Sequence, residues 1–131
     1  MLPPATQFAD VLGAAGVGPD SRVVLYDRSS TMWAARIWWM LRVYGFDRAA
    51  ILSGGLRQWT AEGRTVSTEP CAYPPATFEP RKREGLIADK DEVRAAVEDD
   101  DVLLVNALPP PVFRGEVLEA VSEQNARFFR D

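Results

Sequence analysis

Histidine is absent from this chain, and cysteine occurs once, at Cys71. The first absence removes the usual general base, the Ser-His and Cys-His nucleophile pairs within one chain, and every zinc site that needs an imidazole ligand. The second leaves no intramolecular disulfide to form, which suits a reducing compartment, so a cytoplasmic location is the expectation. No apolar run approaches the ~20 residues that a membrane helix requires. The first residues hold Pro3, Pro4 and Asp10 and no basic stretch, so they do not read as a secretory signal. Basic side chains are outnumbered: 15 Lys and Arg stand against 19 Asp and Glu, a net charge of −4. Nothing in that balance draws the chain to nucleic acid or to an anionic membrane. The one basic cluster, Arg81-Lys82-Arg83, reads as a solvated linker.

What is present is the composition of an ordinary folded domain, 131 residues with 47% apolar and 26% charged side chains. That length suffices for one domain and is short for two. After the first prolines, Phe8, Val11 and Leu12 recur at helical spacing, and the stretch closes in glycines suited to a C-cap. "SRVVLYD" follows as a short β-rich run whose consecutive apolar residues predict a parallel strand buried on both faces. Thr31 is placed as the N-cap of a helix from Met32 to Tyr44, with Gly45 just past its end. This helix is apolar nearly all round and is expected to lie well buried on a sheet, with Trp33, Trp38 and Trp39 as packing residues.

"RAAIL" reads as a second strand, "SGG" as a tight turn, and "LRQWTAEGR" as a short helix ending at Gly63. Strand, helix, strand, helix with short turns predicts an α/β fold, a small parallel sheet with flanking helices. From residue 65 to 86 prolines recur and apolar residues thin out, as in a linker. The pattern then restarts. "DKDEVRAAVED" sets Val93, Ala96 and Val97 on one helical face, "DVLLVNA" reads as a third strand, and "LPPPVF" as a stiff break that a helix would not tolerate. Residues 115–131 fit an amphipathic helix through Val117, Leu118, Val121 and Phe128.

In this order, "VVLYD", the polar loop, "AARIWWMLRVYGF" and above all "ILSGGLRQWTAEGR" resemble the rhodanese (sulfurtransferase) family, specifically its two-domain thiosulfate and 3-mercaptopyruvate sulfurtransferases. "GLIADKDEVRAAVEDDDVLLVNALPPPVFRGE" is similar to the opening of a second domain of that kind. The resemblance implies that residues 1–64 are the C-terminal part of a first, non-catalytic rhodanese domain, 65–86 an interdomain linker, and 87–131 the opening of a second domain with a divergent C-terminal helix. It also implies transfer of sulfane sulfur from a small donor to a thiophilic acceptor, with no cofactor and no metal.

In the family a cysteine opens the loop between strand and helix. Backbone N–H groups of the loop cradle an anion and lower the thiol pKa. The cysteine position matches Asp27 here, followed by Arg28, Ser29, Ser30 and Thr31 as the candidate anion cradle. A carboxylate cannot form a persulfide, so absence of turnover is expected. Asp27 is expected to cap loop N–H groups and complement the helix dipole, in preference to a direct part in chemistry. Arg28 and Arg36 are further candidates for holding an anion. Cys71, in "TEPCAYPP", lies on no strand-to-helix turn that would activate it. The family's substrate-binding arginine falls at Val112, with Arg114 two residues away as the candidate substitute, and Asn106 stands where the family has an aspartate.

Three functional classes follow: a sulfurtransferase-family chain without turnover, a rhodanese-like module that binds a protein partner or a second copy, and a truncated remnant. Because two strands make a meagre sheet, residues 102–106 are expected to fold back and pair with residues 23–26 or 50–52. Dimerisation or strand exchange through the open edges is the alternative.

Overall fold

The computed structural model describes residues 2–28 and 30–116. The chain divides into two compact units, Met1–Ile87 and Ala88–Asp131. In the first, helix α1 (Ala5–Ala14) leads to strand β1 (Val23–Leu25), helix α2 (Met32–Val43), strand β2 (Ala49–Ile51) and helix α3 (Gly55–Ala61). The two strands are parallel, with Val23 opposite Ala49, Val24 opposite Ala50 and Leu25 opposite Ile51. A parallel pair needs a crossover, and α2 supplies it, packing back on both strands. This is the small α/β arrangement that the strand–helix order predicts.

Termination of α2 sets the geometry of that crossover. Gly45 adopts φ 83, donates its N–H to Arg42 O, and lets the Phe46 N–H return to Leu41 O at 2.8 Å. Both bonds satisfy carbonyls that the helix end would otherwise leave open, and Phe46 lands beside Leu41. The core forms there, from Phe8, Met40, Leu41, Tyr44, Phe46 and Phe78. Phe8 stacks at 5.0 Å on Tyr44 and meets Phe78 edge-on at 5.9 Å, while the Tyr44 hydroxyl donates to Pro3 O. Leu41 and Val43 are fully enclosed.

Among the described residues the sheet departs from expectation by being closely covered on one face only. Val23 and Leu25 face α2, while Val24 and Tyr26 are 62% and 58% exposed. For the same reason α2 is buried along Ala34, Met40, Leu41 and Val43 rather than all round, and Trp33, expected to pack, is 48% exposed. Trp38 and Trp39 do pack. The Trp38 indole N–H donates to Ala49 O at 3.2 Å under the Arg42 guanidinium, and Trp39 lies against the core.

Residues 65–86 contain no helix or strand, but they are not a slack linker throughout. Residues 65–75 are exposed, whereas Phe78 is a core residue. The Ala76, Arg81 and Arg83 N–H groups donate to Gly13, Tyr44 and Val43 carbonyls. Arg83, read as solvated, forks onto both Asp47 oxygens at 2.8 and 2.5 Å, which holds the Asp47 carboxyl below its ordinary pKa.

In the second unit, helix α4 (Lys90–Val97) starts on a capping box in which Asp89 and Glu92 satisfy each other's backbone N–H groups. It buries no residue. The third strand is a correction: residues 102–106 are irregular and exposed, and the sheet among the described residues has only β1 and β2. The fold-back pairing therefore does not occur. It presumed a slack linker, and residues 76–83 are instead committed to contacts within the first unit. "LPPPVF" is a second correction, since Pro110 and Pro111 open helix α5 (Pro110–Phe113). Proline at the first helical positions lacks only an N–H that the helix could not have paired. The C-terminal helix expected over residues 115–131 lies, from residue 117 onward, outside the described residues.

Candidate functional site

The loop that leaves β1 is built around Asp27. Its Oδ1 accepts the Thr31 N–H at 3.0 Å, and its Oδ2 accepts the Trp33 and Ala34 N–H groups at 3.1 and 3.2 Å. Trp33 and Ala34 are the second and third residues of α2, so Asp27 caps this helix from five residues before its start. Thr31 occupies the N-cap position but makes no side-chain cap bond, contrary to expectation. Its φ of 67 is unusual for a β-branched residue and turns its N–H toward Asp27. Charge-assisted bonds of this kind are the stronger class, and the carboxylate also complements the positive end of the helix dipole.

The second glycine of "SGG" supports Asp27 from the other side. The Leu56 N–H, in the first turn of α3, donates to Asp27 O at 3.1 Å. That approach needs Gly55, whose φ is 58 and whose added Cβ would lie 3.0 Å from the same carbonyl. Gly55→Ala is therefore predicted to destabilise the chain by about 1–2 kcal/mol, the cost of a side chain in left-handed backbone. Urea unfolding followed by tryptophan fluorescence reads this; an unchanged midpoint would refute the close approach. The turn itself is legible in the sequence, but its contact with the loop is not, because no local pattern reports which carbonyl a distant N–H will meet.

Arg28 and Ser30 are exposed on the loop, Arg36 is exposed on α2, and Ser29 lies outside the described residues. Cys71 is exposed in the irregular stretch before residue 76, and its thiol beside Tyr73 pushes the Tyr73 phenol above its ordinary pKa. Arg114 is paired with Glu116 at 2.6 Å just after α5, on which Val112 sits. Asn106 accepts the Leu108 N–H in a local turn. On the open face of the sheet a cleft of about 450 Å³ is lined by Val24, Tyr26, Leu52, Leu56, Trp59 and Val66 among others. It offers hydroxyls but no group to activate them. Among the described residues no group of three or more acidic or cysteine side chains is placed to hold a metal. No described helix is long and apolar enough to cross a membrane.

The backbone N–H groups that converge at this site are taken up by the Asp27 carboxylate. Chains with known relatives place this geometry in context. A model of the rhodanese-like domain matches residues 2–62. The thiosulfate sulfurtransferase of Bos taurus is 36% identical over 109 residues, covering 82% of this chain and 37% of the relative. That of Gallus gallus is 33% identical over 121 residues, covering 91% and 42%. The sulfur carrier protein TtuD of Thermus thermophilus is 32% identical, covering 85% and 40%. The crystal structure of SseA from Escherichia coli, a 3-mercaptopyruvate sulfotransferase, superposes with a TM-score of 0.81 at 28% identity, over 91% of this chain and 45% of that one. The chain spans less than half the length of these relatives.

Proposed function

The chain belongs to the rhodanese family, and on that premise we propose that it supplies a non-catalytic rhodanese-type unit, one that keeps the anion-cradling loop without transferring sulfur through it. The observation that carries this reading is the Asp27 carboxylate accepting the Thr31, Trp33 and Ala34 N–H groups. Sulfur transfer of the family type needs a thiolate at this point. The thiolate attacks the outer sulfur of a donor such as thiosulfate, the donor's S–S bond breaks with loss of sulfite, and the persulfide passes its sulfur to an acceptor. A carboxylate is a poor nucleophile toward sulfur and forms no persulfide. Its charge also fills the cradle against an incoming anionic donor. The names of the relatives support a small sulfur donor as the ligand class of the family, and the role of this unit is then to maintain the fold beside whatever site holds the reactive thiol.

Cys71 is the one residue that challenges this reading, because it is exposed and is a thiol. Its segment has neither helix nor strand along the chain to present converging N–H groups, so it lacks the surroundings that activate a catalytic thiol. The test is a sulfur-transfer assay with thiosulfate and with 3-mercaptopyruvate, cyanide as acceptor, on the chain and on Cys71→Ser. The expected result is no thiocyanate from either folded protein. Turnover that disappears in Cys71→Ser would overturn the proposal and make Cys71 the nucleophile.

A further inference from the structure

Residues 73–83 run without helix or strand across the ends of two helices, and the surface beneath them is cut for their passage. A Cβ added at Gly13 would come within 2.6 Å of Ala76 O, one at Gly16 within 2.5 Å of Tyr73 Cβ, one at Gly18 within 3.2 Å of Ala76 Cβ, and one at Gly45 within 2.8 Å of Arg81 O. Four glycines from three different loops and helix ends thus form a track that a side chain would block. Phe78 drops from the track into the core, against Phe8 and Phe46. Past Phe78 the hold becomes polar. The Arg81 and Arg83 N–H groups donate to Tyr44 and Val43 O, and the Arg83 guanidinium forks onto Asp47, which Arg42 also approaches at 3.5 Å.

We propose that residues 73–83 are a detachable strap, seated by Phe78 in the glycine track and latched at its outgoing end by Arg83 on Asp47, so that breaking this ion pair frees the segment leading into the second unit. The carbonyls the strap covers are the last ones of α1 and α2, which water satisfies equally well when the strap leaves. Pro74, Pro75 and Pro80 carry no N–H, so the segment cannot join a strand ladder and become fixed there. The latch lies on the surface, with Arg83 36% and Asp47 53% exposed, so salt weakens it. Neither residue takes part in the Asp27 site, and the strap stands or falls independently of whether the chain transfers sulfur.

Trypsin reads the strap directly: the Arg81 and Lys82 side chains are exposed, but the backbone around them is held by the Arg81 and Arg83 N–H bonds to Tyr44 and Val43 O, and cleavage needs that backbone free. Initial rates there, divided by the rate after the exposed Arg64 in the same digest, report the population of the detached form when reseating is fast. Asp47→Asn is expected to raise this ratio about threefold to fivefold in low salt, the range of an exposed but well-formed ion pair. Arg83→Gln is expected to give the same rise, and the double variant no more than either single one. Raising sodium chloride from about 0.02 to about 0.5 M should increase the ratio in the unaltered chain and leave it flat in the variants. Circular dichroism checks that each variant is folded. Unchanged ratios, additive rises in the double variant, or a matching rise after Arg64 that signals general unfolding would each overturn the proposal.

Discussion

Leu41→Ala is expected to lower the stability of the chain by about 3 kcal/mol, within the range of about 2–5 for leucine truncation in a closed core. Leu41 has no exposed surface and touches the cluster in which α1, α2 and residues 76–83 meet. Its carbonyl also receives the Phe46 N–H that closes α2, so the neighbours are pinned and cannot collapse into the space left behind. A unit with two three-residue strands has no second layer of core to share the loss, and about 3 kcal/mol is a large part of the 5–15 available to a typical domain. Val43→Ala, at the other fully enclosed position, should cost less, about 2 kcal/mol, since it removes two methyl groups from a smaller volume. Val97→Ala, on exposed α4, should move stability by less than about 0.5 kcal/mol. Urea unfolding monitored through Trp38 and Trp39 measures all three. Equal midpoints for Leu41→Ala and Val97→Ala would show that the centre of the fold lies elsewhere.

The order of elements through α3 was legible in the sequence because each carries a local signature. The Gly45 and Gly63 helix ends, the apolar runs of β1 and β2, and the "SGG" turn all depend on residues close in sequence. Legibility failed where the deciding contact was remote. Val24 and Trp33 are apolar and were expected inside, but they are 62% and 48% exposed, because burial depends on which surfaces pack together and not on the side chain alone. Phe78 and Arg83 sit in a proline-rich, charged stretch that resembles a solvated linker. Only the packing reveals that four glycines, one acid and an aromatic cluster are waiting for them. The apolar run at residues 102–105 shows the converse failure: β-forming side chains alone do not make a strand without a neighbour to pair with. At the loop, the sequence placed an acid at the right point and favoured its capping the loop N–H groups, as it does. It assigned the cap to Thr31 because capping is usually local, whereas a carboxylate reaching back from Asp27 satisfies the same N–H groups.

That reach makes the sharpest chemical prediction. In Asp27→Cys the introduced thiol is expected to alkylate with iodoacetamide at pH 7 about tenfold faster than Cys71 in the same molecule. A free thiol has a pKa near about 8.5 and is only a few per cent ionised at neutral pH, whereas helix N-termini lower it to about 3.5–7.5. The lowered value raises the thiolate fraction more than it reduces the nucleophilicity of each thiolate, so the net effect is acceleration. The Thr31, Trp33 and Ala34 N–H groups, which now hold the carboxylate, are the donors that would stabilise that thiolate, and α2 behind them has twelve residues of aligned dipole. Cys71 serves as an internal reference, exposed and away from any helix start. Peptide mass mapping after brief labelling separates the two sites. Preferential labelling at position 27 means the loop is an intact anion cradle in which the acid has taken the nucleophile's place. Equal labelling would mean the N–H groups converge only because the carboxylate gathers them, and the loop would then be a helix cap with no latent chemistry of its own.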